Sequence, residues 1–326
     1  MSRDAASTSD GGRVDPQSRA IESLGGTWMR FWFAPADSRP LAAVRILTAA
    51  LGLLLLWSYA GDLQAWFGPS GVLPADTVSQ WRSRFGFSLF DGATTAAALT
   101  AAFGLTALAF GLLLLGIGTS VVAVASAVLW ASLLHRGPML AGPADDCLAL
   151  LLWCVAIGQS GRHWSVDRLL ADRSGRPEPA PSFRSRIALS LLQVHAAAIA
   201  AAAVLAQLKG DAWWDGSAAW WLSARGGSAL GGMTDLLARS EYLTNLLTHA
   251  ITLCEAFIAI GIWFAPTQRI AARTALVAWP LIGLAAGEPL WGLAMAIFAV
   301  PLAELPACGN GSTEPVATGA GAPARA

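Results

Sequence analysis

The chain has almost no lysine. Among its 21 Lys and Arg residues, Lys209 is the single lysine and all the others are arginine. Charge of either sign is scarce, because Asp, Glu, Lys and Arg make up 13% of the 326 residues, whereas soluble domains carry about 25%. The formal net charge is +0, so the composition excludes a broad basic surface and with it a nucleic-acid partner.

Cysteine motifs and a secretory leader are also missing. The 4 cysteines form no CxxC pair and no metal-ligand spacing, so we expect buried thiols and no metal site. Residues 1–19 are polar and lack an apolar core, which predicts a disordered tail and not a signal peptide. Residues 307–326 are rich in Gly, Ala and Pro and predict a second disordered tail, leaving 20–306 as the folded domain.

Apolar sequence is abundant: 55% of the residues are hydrophobic and the mean hydropathy is +0.53. A membrane-spanning helix needs roughly 20 mostly apolar residues. The chain is therefore predicted to be an all-α, polytopic transmembrane helical bundle of about eight spans. The predicted spans are residues 41–59, 94–117, 120–134, 147–158, 186–208, 245–264, 270–286 and 289–305. The fourth is short and must begin near Leu140 to cross a bilayer. Residues 21–33, with four aromatic side chains beside Arg30, predict an N-terminal interfacial helix.

Arginine placement predicts the orientation of the bundle. With both termini cytoplasmic, fourteen basic residues fall in inner segments and six in outer ones, as the positive-inside rule requires. The inner loop at 161–186 alone holds six arginines. We therefore expect a protein integral to the cytoplasmic membrane, in contact with membrane lipid and with long outer loops at 60–93 and 209–244.

Several ionisable or polar side chains fall where a bilayer makes them costly, and such residues are usually functional. His195 lies in the middle of the fifth span, and Lys209 follows about 21 Å further along the same face. The sixth span carries a polar stripe, and the short fourth span begins with two acidic residues. These additional candidates are Asn245, Thr248, His249, Thr252 and Glu255 on the stripe, and Asp145 and Asp146 on the fourth span.

Each candidate also has a purely structural interpretation. Asp145 or Asp146 fits the cap of a helix. His195 fits a hydrogen-bonded core histidine, and Lys209 fits an anchor at the membrane interface. A buried Glu255 must be neutral or paired, with His195, His249 or an arginine as its partner. Arg45, within the first span, fits an anchor between helices.

Three stretches resemble the HTTM-domain proteins, which are bacterial relatives of vitamin K-dependent gamma-carboxylase. The first runs from Leu41 through Arg45 to Pro74, and the second joins Asp145 and Asp146 to a span that ends at 162–167. The third and most specific runs from Gln193 through the segment Leu-Lys-Gly-Asp-Ala-Trp-Trp-Asp-Gly at 208–216. The resemblance covers about residues 21–306. Three features depart from the family: 196–203 is nearly all alanine where a tyrosine is common, 285–288 lacks the histidine often found in the seventh span, and no counterpart of the large lumenal domain is seen after the last span.

The resemblance implies a function for Lys209. The matching lysine of the carboxylase deprotonates a reduced vitamin K-type quinone, whose oxygenation yields the base that removes a proton from a protein glutamate. Carried over, Lys209 is the catalytic base, with His195, Glu255, Asp145 and Asp146 as catalytic partners. The substrate-binding candidates are Trp213, Trp214, His249 and Asn245. No protein substrate is identified.

Three function classes remain open at this point. The first is a membrane enzyme that acts on a quinone-like, lipid-soluble substrate from the extracytoplasmic side. The second is a non-enzymatic membrane module that binds a lipid, a quinone or a partner protein. The third is a transporter, which requires a polar path to the inner side that the spans do not supply.

Overall fold

The computed structural model describes residues 16–72, 77–78, 80, 86, 88–225 and 231–304, and it is helical, with no β-strand assigned in these ranges. The first half contains α1 Pro16–Phe33, α2 Arg39–Ala60, α3 Leu63–Phe67, α4 Ala96–Leu115, α5 Thr119–Arg136, α6 Pro143–Ile157 and α7 Val166–Arg173. The second half contains α8 Phe183–Gln207, α9 Asp211–Trp214, α10 Ala218–Ala224, α11 Met233–Ala238, α12 Glu241–Gly261, α13 Ala265–Ala285 and α14 Pro289–Glu304. Short 3-10 helices cover Leu89–Gly92 and Ser160–Arg162.

Five of these helices are long and apolar enough to cross a membrane: α2, α4, α5, α8 and α12. Each coincides with a predicted span. Large apolar side chains on them face outward, including Trp57, Val121, Leu246 and Leu253. Water does not favour so many exposed apolar side chains, whereas lipid does. The architecture is that of an integral membrane protein.

Helices also occupy the other three predicted spans, but they are shorter or more polar. Helix α6 has 15 residues and begins at Pro143, so it does not extend back to Leu140. Helix α14 has 16 residues. Helix α13 has 21 residues and carries Arg269 and Arg273 in its first half. The total of about eight spans therefore stays a prediction.

The N-terminal helix α1 begins at Pro16, earlier than the predicted start at Ile21. Trp28, Met29 and Phe33 of this helix are exposed. Phe31 packs against the α8 side of the bundle, because its carbonyl oxygen accepts hydrogen bonds from Arg186 and Ser190. The interfacial position of α1 stays a prediction. Most of the predicted N-terminal tail and all of the C-terminal tail, 307–326, lie outside the described residues.

The buried centre of the bundle is formed by α2, α6, α8 and α14, which contact one another. Helices α13 and α14 pack most closely, because Gly283 and Gly292 bring their backbones together: a Cβ on Gly283 would lie 2.8 Å from the Cα of Gly292. Several helices begin at a residue whose side chain caps the first turn. The Ser182 hydroxyl accepts from the backbone of Ser185 at the start of α8, and the Ser240 hydroxyl does the same for Leu243 in α12.

One end of the bundle is fastened by a buried arginine. Arg45 of α2 is 0% exposed and donates to the carbonyl oxygens of Ser160 at 2.7 Å, His163 at 3.3 Å and Trp164 at 2.5 Å. Arg45 thus anchors the loop after α6 onto α2, which confirms its interpretation as an anchor. We call this side, which includes the loop at 160–186, the arginine-rich end. The opposite side, where α8 ends, is the Lys209 end.

Candidate functional site

Lys209 lies just beyond the last turn of α8, which ends at Gln207. Its side chain is exposed and has no hydrogen-bond or ion-pair partner among the described residues. Trp213 and Trp214 follow in the short helix α9. Trp214 is 67% exposed, and its indole nitrogen donates to the carbonyl oxygen of Leu208 at 2.8 Å. The turn therefore presents an ammonium group and an indole face to the surroundings.

A buried polar pair lies directly beside this turn. Gln207 Nε2 donates to Glu255 Oε2 at 2.5 Å, which joins the end of α8 to α12. Gln207 is 7% exposed and Glu255 is 2% exposed. The carbonyl oxygen of the Gln207 side chain is buried and has no hydrogen-bond partner. An unpaired buried acceptor is unfavourable, so this oxygen is available to a donor that enters the site.

The tryptophan-rich segment after Lys209 is fastened to α12 by Thr248. The Thr248 hydroxyl lies 2.8 Å from the carbonyl oxygen of Gly216 and accepts from the backbone nitrogen of Ala219 at 3.0 Å. Gly216 has a positive φ of 78°, and a Cβ there would lie 2.0 Å from the Asn245 side-chain nitrogen. Only glycine therefore fits this contact, which places Asn245 against the segment.

The segment after Lys209 includes one carboxylate with a shifted pKa, that of Asp215. Asp215 accepts a hydrogen bond from the backbone nitrogen of Ser217 at 2.9 Å. Hydrogen bonding from the Ser217 side chain and backbone holds the pKa of Asp215 below its ordinary value. This carboxylate is exposed and ionised at neutral pH, so the turn carries both a cation, Lys209, and an anion.

The polar residues predicted to form one stripe on the sixth span lie on two faces of α12. Thr248 and Glu255 are buried and face the end of α8 and the segment after it. Asn245 and His249 are exposed, and Thr252 is half-buried. Only the first pair forms contacts that assemble a site, although Asn245 borders it through Gly216.

Asp145 and Asp146 have different surroundings. Asp145 is buried; its carboxylate accepts from the backbone nitrogen of Gly142 at 2.8 Å and from the Tyr59 hydroxyl at 2.7 Å. It thus caps the start of α6 and ties that helix to α2, which confirms the capping interpretation for one of the two residues. Asp146 is exposed. Neither has a recorded contact with Lys209 or Glu255.

His195 occupies a third, separate position. Its Nδ1 lies 2.7 Å from the carbonyl oxygen of Leu191, one turn earlier in α8, and its ring stacks on Phe298 of α14 at 6.2 Å. Gln207 is twelve positions further along the helix, about 18 Å away at 1.5 Å per residue. His195 has the contacts of a hydrogen-bonded core histidine.

Five predicted residues lie on the end of α8, on the segment that follows it, or on α12, which contacts both: Lys209, Trp213, Trp214, Asn245 and Glu255. Asn245 and Glu255 are ten positions apart, about 15 Å along α12. We define the Lys209 corner as residues 207–219 with Asn245, Thr248 and Glu255. Sequence reasoning did not select Gln207. The sequence did contain a signal for Gln207: a polar amide ends the mostly apolar fifth span, two positions before the single lysine. Within the described residues, no group of three or more His, Cys, Asp or Glu side chains is placed to hold a metal ion.

No family model, no curated protein and no solved structure matches this chain.

Proposed function

We propose that this integral membrane protein binds a lipid-soluble, quinone-like molecule at the Lys209 corner, from the extracytoplasmic side. The observation that supports this is the buried Gln207–Glu255 pair, which lies beside an exposed lysine and tryptophan at the end of a membrane-spanning helix. Buried polar groups in a membrane protein are costly and usually serve function.

The chemistry of the corner suits such a ligand. Quinone oxygens accept hydrogen bonds and quinol hydroxyls donate them. The Gln207 carbonyl oxygen has no partner, so it suits a hydroxyl donor, and the Lys209 ammonium suits a carbonyl or phenolate oxygen. Exposed Trp214 offers an aromatic face for stacking. A binding role requires no further catalytic group, which agrees with the separate contacts of His195 and Asp145.

An enzymatic role is the second candidate. It is favoured by the position of Lys209, two residues after the amide that holds Glu255. The resemblance to gamma-carboxylase implies that Lys209 is the base that deprotonates a reduced vitamin K-type quinone. Of the other proposed catalytic residues, Glu255 alone belongs to the same corner.

Binding is tested with menadiol, the reduced form of the naphthoquinone menadione, because its hydroxyls can donate to the Gln207 oxygen. It is added anaerobically to the full chain in detergent while tryptophan fluorescence is recorded. The informative variant is the double replacement Gln207→Leu with Glu255→Leu, because it removes both partners and leaves no unpaired buried group. We expect its affinity for menadiol to fall at least tenfold, with the thermal midpoint retained. Arg239→Ala, an exposed residue at the same end, is the control and should bind as wild type. Unchanged binding by the double variant would refute the site.

Catalysis is tested by incorporation of labelled carbon dioxide into glutamyl peptides in the presence of reduced menadione. The enzyme hypothesis predicts incorporation by wild type and none by Lys209→Ala or Lys209→Arg, because arginine keeps the charge but does not release its proton. Incorporation by neither protein would exclude carboxylation. Retention of menadiol binding by Lys209→Arg would then favour the binding module.

A further inference from the structure

A second built site lies at the arginine-rich end, separated from the Lys209 corner by the whole of α8. It is an open groove of about 500 Å³. Its lining includes Arg39, His163, Trp164, Arg168, Leu169 and Glu178. Helix α8 has 25 residues, which corresponds to about 37 Å between the two sites.

The walls of the groove are held by specific contacts. Arg39 donates to Glu178 at 2.6 Å, and Arg168 donates to the carbonyl oxygen of Pro177 at 2.9 Å. Beneath them, buried Arg45 fixes the backbone of His163 and Trp164. The loop after α7 is therefore folded back onto the start of α2, and the groove is a defined surface.

The charge of this region favours an anion. Residues 160–186 contain six arginines and three carboxylates, Asp167, Asp172 and Glu178, so six minus three gives a net charge of +3. Within the groove, Glu178 pairs with Arg39 and Asp172 pairs with Arg168, so the formal charges of these four side chains cancel. Arg173, Arg176 and Arg184 have exposed side chains, and no partner for them occurs among the described residues. These three supply the uncompensated positive potential beside the groove.

Apolar side chains next to the groove are also exposed. Helix α7 has no buried residue, and its Leu169 and Leu170 are about half exposed. Trp164 is 61% exposed and is held in a left-handed conformation with φ 48°. A short helix with exposed leucines beside arginines, next to an exposed tryptophan, suits the boundary between headgroups and acyl chains.

We infer that this groove binds the phosphate headgroup of an anionic glycerophospholipid. Arg39 and Arg168 contact the phosphate, and Arg173 and Arg176 add long-range attraction. Trp164, Leu169 and Leu170 contact the acyl chains. The lipid is favoured over free phosphate because the cationic and apolar groups lie side by side. The expected orientation places the groove at the cytoplasmic leaflet, where anionic lipids give a negative surface potential.

The experiment follows thermal unfolding of the full chain in a neutral detergent while short-chain phosphatidylglycerol, phosphatidylcholine or glycerol 3-phosphate is added. A ligand that binds only the folded state raises the unfolding midpoint in proportion to its saturation. We expect phosphatidylglycerol to raise the midpoint, and phosphatidylcholine and glycerol 3-phosphate to leave it unchanged. An equal rise with phosphatidylcholine would refute recognition of the charge, and an equal rise with glycerol 3-phosphate would refute the lipid as occupant.

Two variants with equal loss of charge locate the site. Arg39→Gln with Arg168→Gln should raise the half-saturating concentration of phosphatidylglycerol at least tenfold. Arg225→Gln with Arg239→Gln, at the Lys209 end, should respond as wild type. Since the first variant also removes contacts within the loop, Arg173→Gln with Arg176→Gln provides a milder test. Among the described residues, the side chains of Arg173 and Arg176 have no hydrogen-bond or ion-pair partner, so we expect the half-saturating concentration of phosphatidylglycerol to rise two- to fivefold. A groove variant that responds like the Lys209-end variant would overturn the assignment.

Discussion

Gln207 donates a hydrogen bond to Glu255 across a separation of 48 residues, and both side chains are buried. The bond ties α12, six residues before its last residue Gly261, to the end of α8. A carboxylate at this depth is tolerated because it has a partner, and the partner itself keeps one oxygen unpaired. The pair is thus a contact between α8 and α12 that leaves one buried acceptor unpaired.

The first prediction concerns the energetics of that pair. Gln207→Leu alone should lower the free energy of unfolding by about 1–3 kcal/mol, because it leaves the Glu255 carboxylate buried without its donor. Adding Glu255→Leu should restore most of the loss, since neither partner is then left unpaired. Thermal unfolding of both single variants and the double variant, in the same detergent, measures the coupling. Additive losses would show that the two side chains do not depend on each other.

The second prediction concerns Thr248. Thr248→Val keeps the shape of the side chain but removes the hydroxyl between Gly216 and Ala219, so we expect a loss of about 1–3 kcal/mol. Hydrogen exchange of residues 210–224 should accelerate at the same time. Thr252→Val, one turn further along α12, is the matched control, because its hydroxyl makes only a long 3.4 Å bond within the helix. Equal exchange in the two variants would contradict the anchoring role.

The third prediction concerns Arg45. Arg45→Leu should lower the free energy of unfolding by more than about 2 kcal/mol, since it leaves the buried carbonyl oxygens of Ser160 and His163 without this donor. Arg39→Leu removes an exposed ion pair and should change it by about 0–1 kcal/mol. Thermal unfolding compares the two, and hydrogen exchange at 160–168 locates the change. A loop that exchanges normally in Arg45→Leu would mean that its anchor lies elsewhere.

The fourth prediction is a pH dependence at the arginine-rich end. Burial would raise the pKa of Asp167, but hydrogen bonds from Thr119 and Gly118 and the nearby Arg45 outweigh it, so the pKa lies below its ordinary 3.8. The ionised carboxylate therefore stabilises the folded protein above about pH 4, and this contribution disappears as the pH falls through the lowered pKa. Asp167→Asn should be less stable than wild type at pH 7, and the difference should shrink on acidification. A constant difference down to pH 3 would disagree.

The positions of the membrane-spanning helices were predictable because apolar run length is a local property. Helices α2, α4, α5, α8 and α12 all appear where mostly apolar stretches of 15 to 24 residues predict them. The ends of the helices were harder to predict from the sequence. Gly142 and Asp145 start α6 later than span length suggested, because a side chain that accepts from the backbone fixes the first turn there.

The candidate site was predictable only in part. Periodicity placed Asn245, Thr248 and Glu255 on one stripe, yet a face about 100° wide covers both buried and exposed positions. Which of them faces α8 depends on helix packing, and this is a tertiary property. The same holds for Gln207, whose partner is 48 residues away, and for Asp145, whose partner is Tyr59 of α2. His195 and Asp145 were assigned to the site from their ionisable side chains alone. Their contacts in the structure do not connect them to it.

The most direct test of the Lys209 corner is photocrosslinking with an azido-naphthoquinol, followed by peptide mapping of the labelled full chain in nanodiscs. Binding at the corner predicts adducts within residues 207–221 of the α8–α10 segment and 244–255 of α12, competed by menadiol and lost in the Gln207→Leu, Glu255→Leu double variant. Adducts confined to other helices, or adducts at the corner that the double variant retains at the wild-type yield, would contradict it.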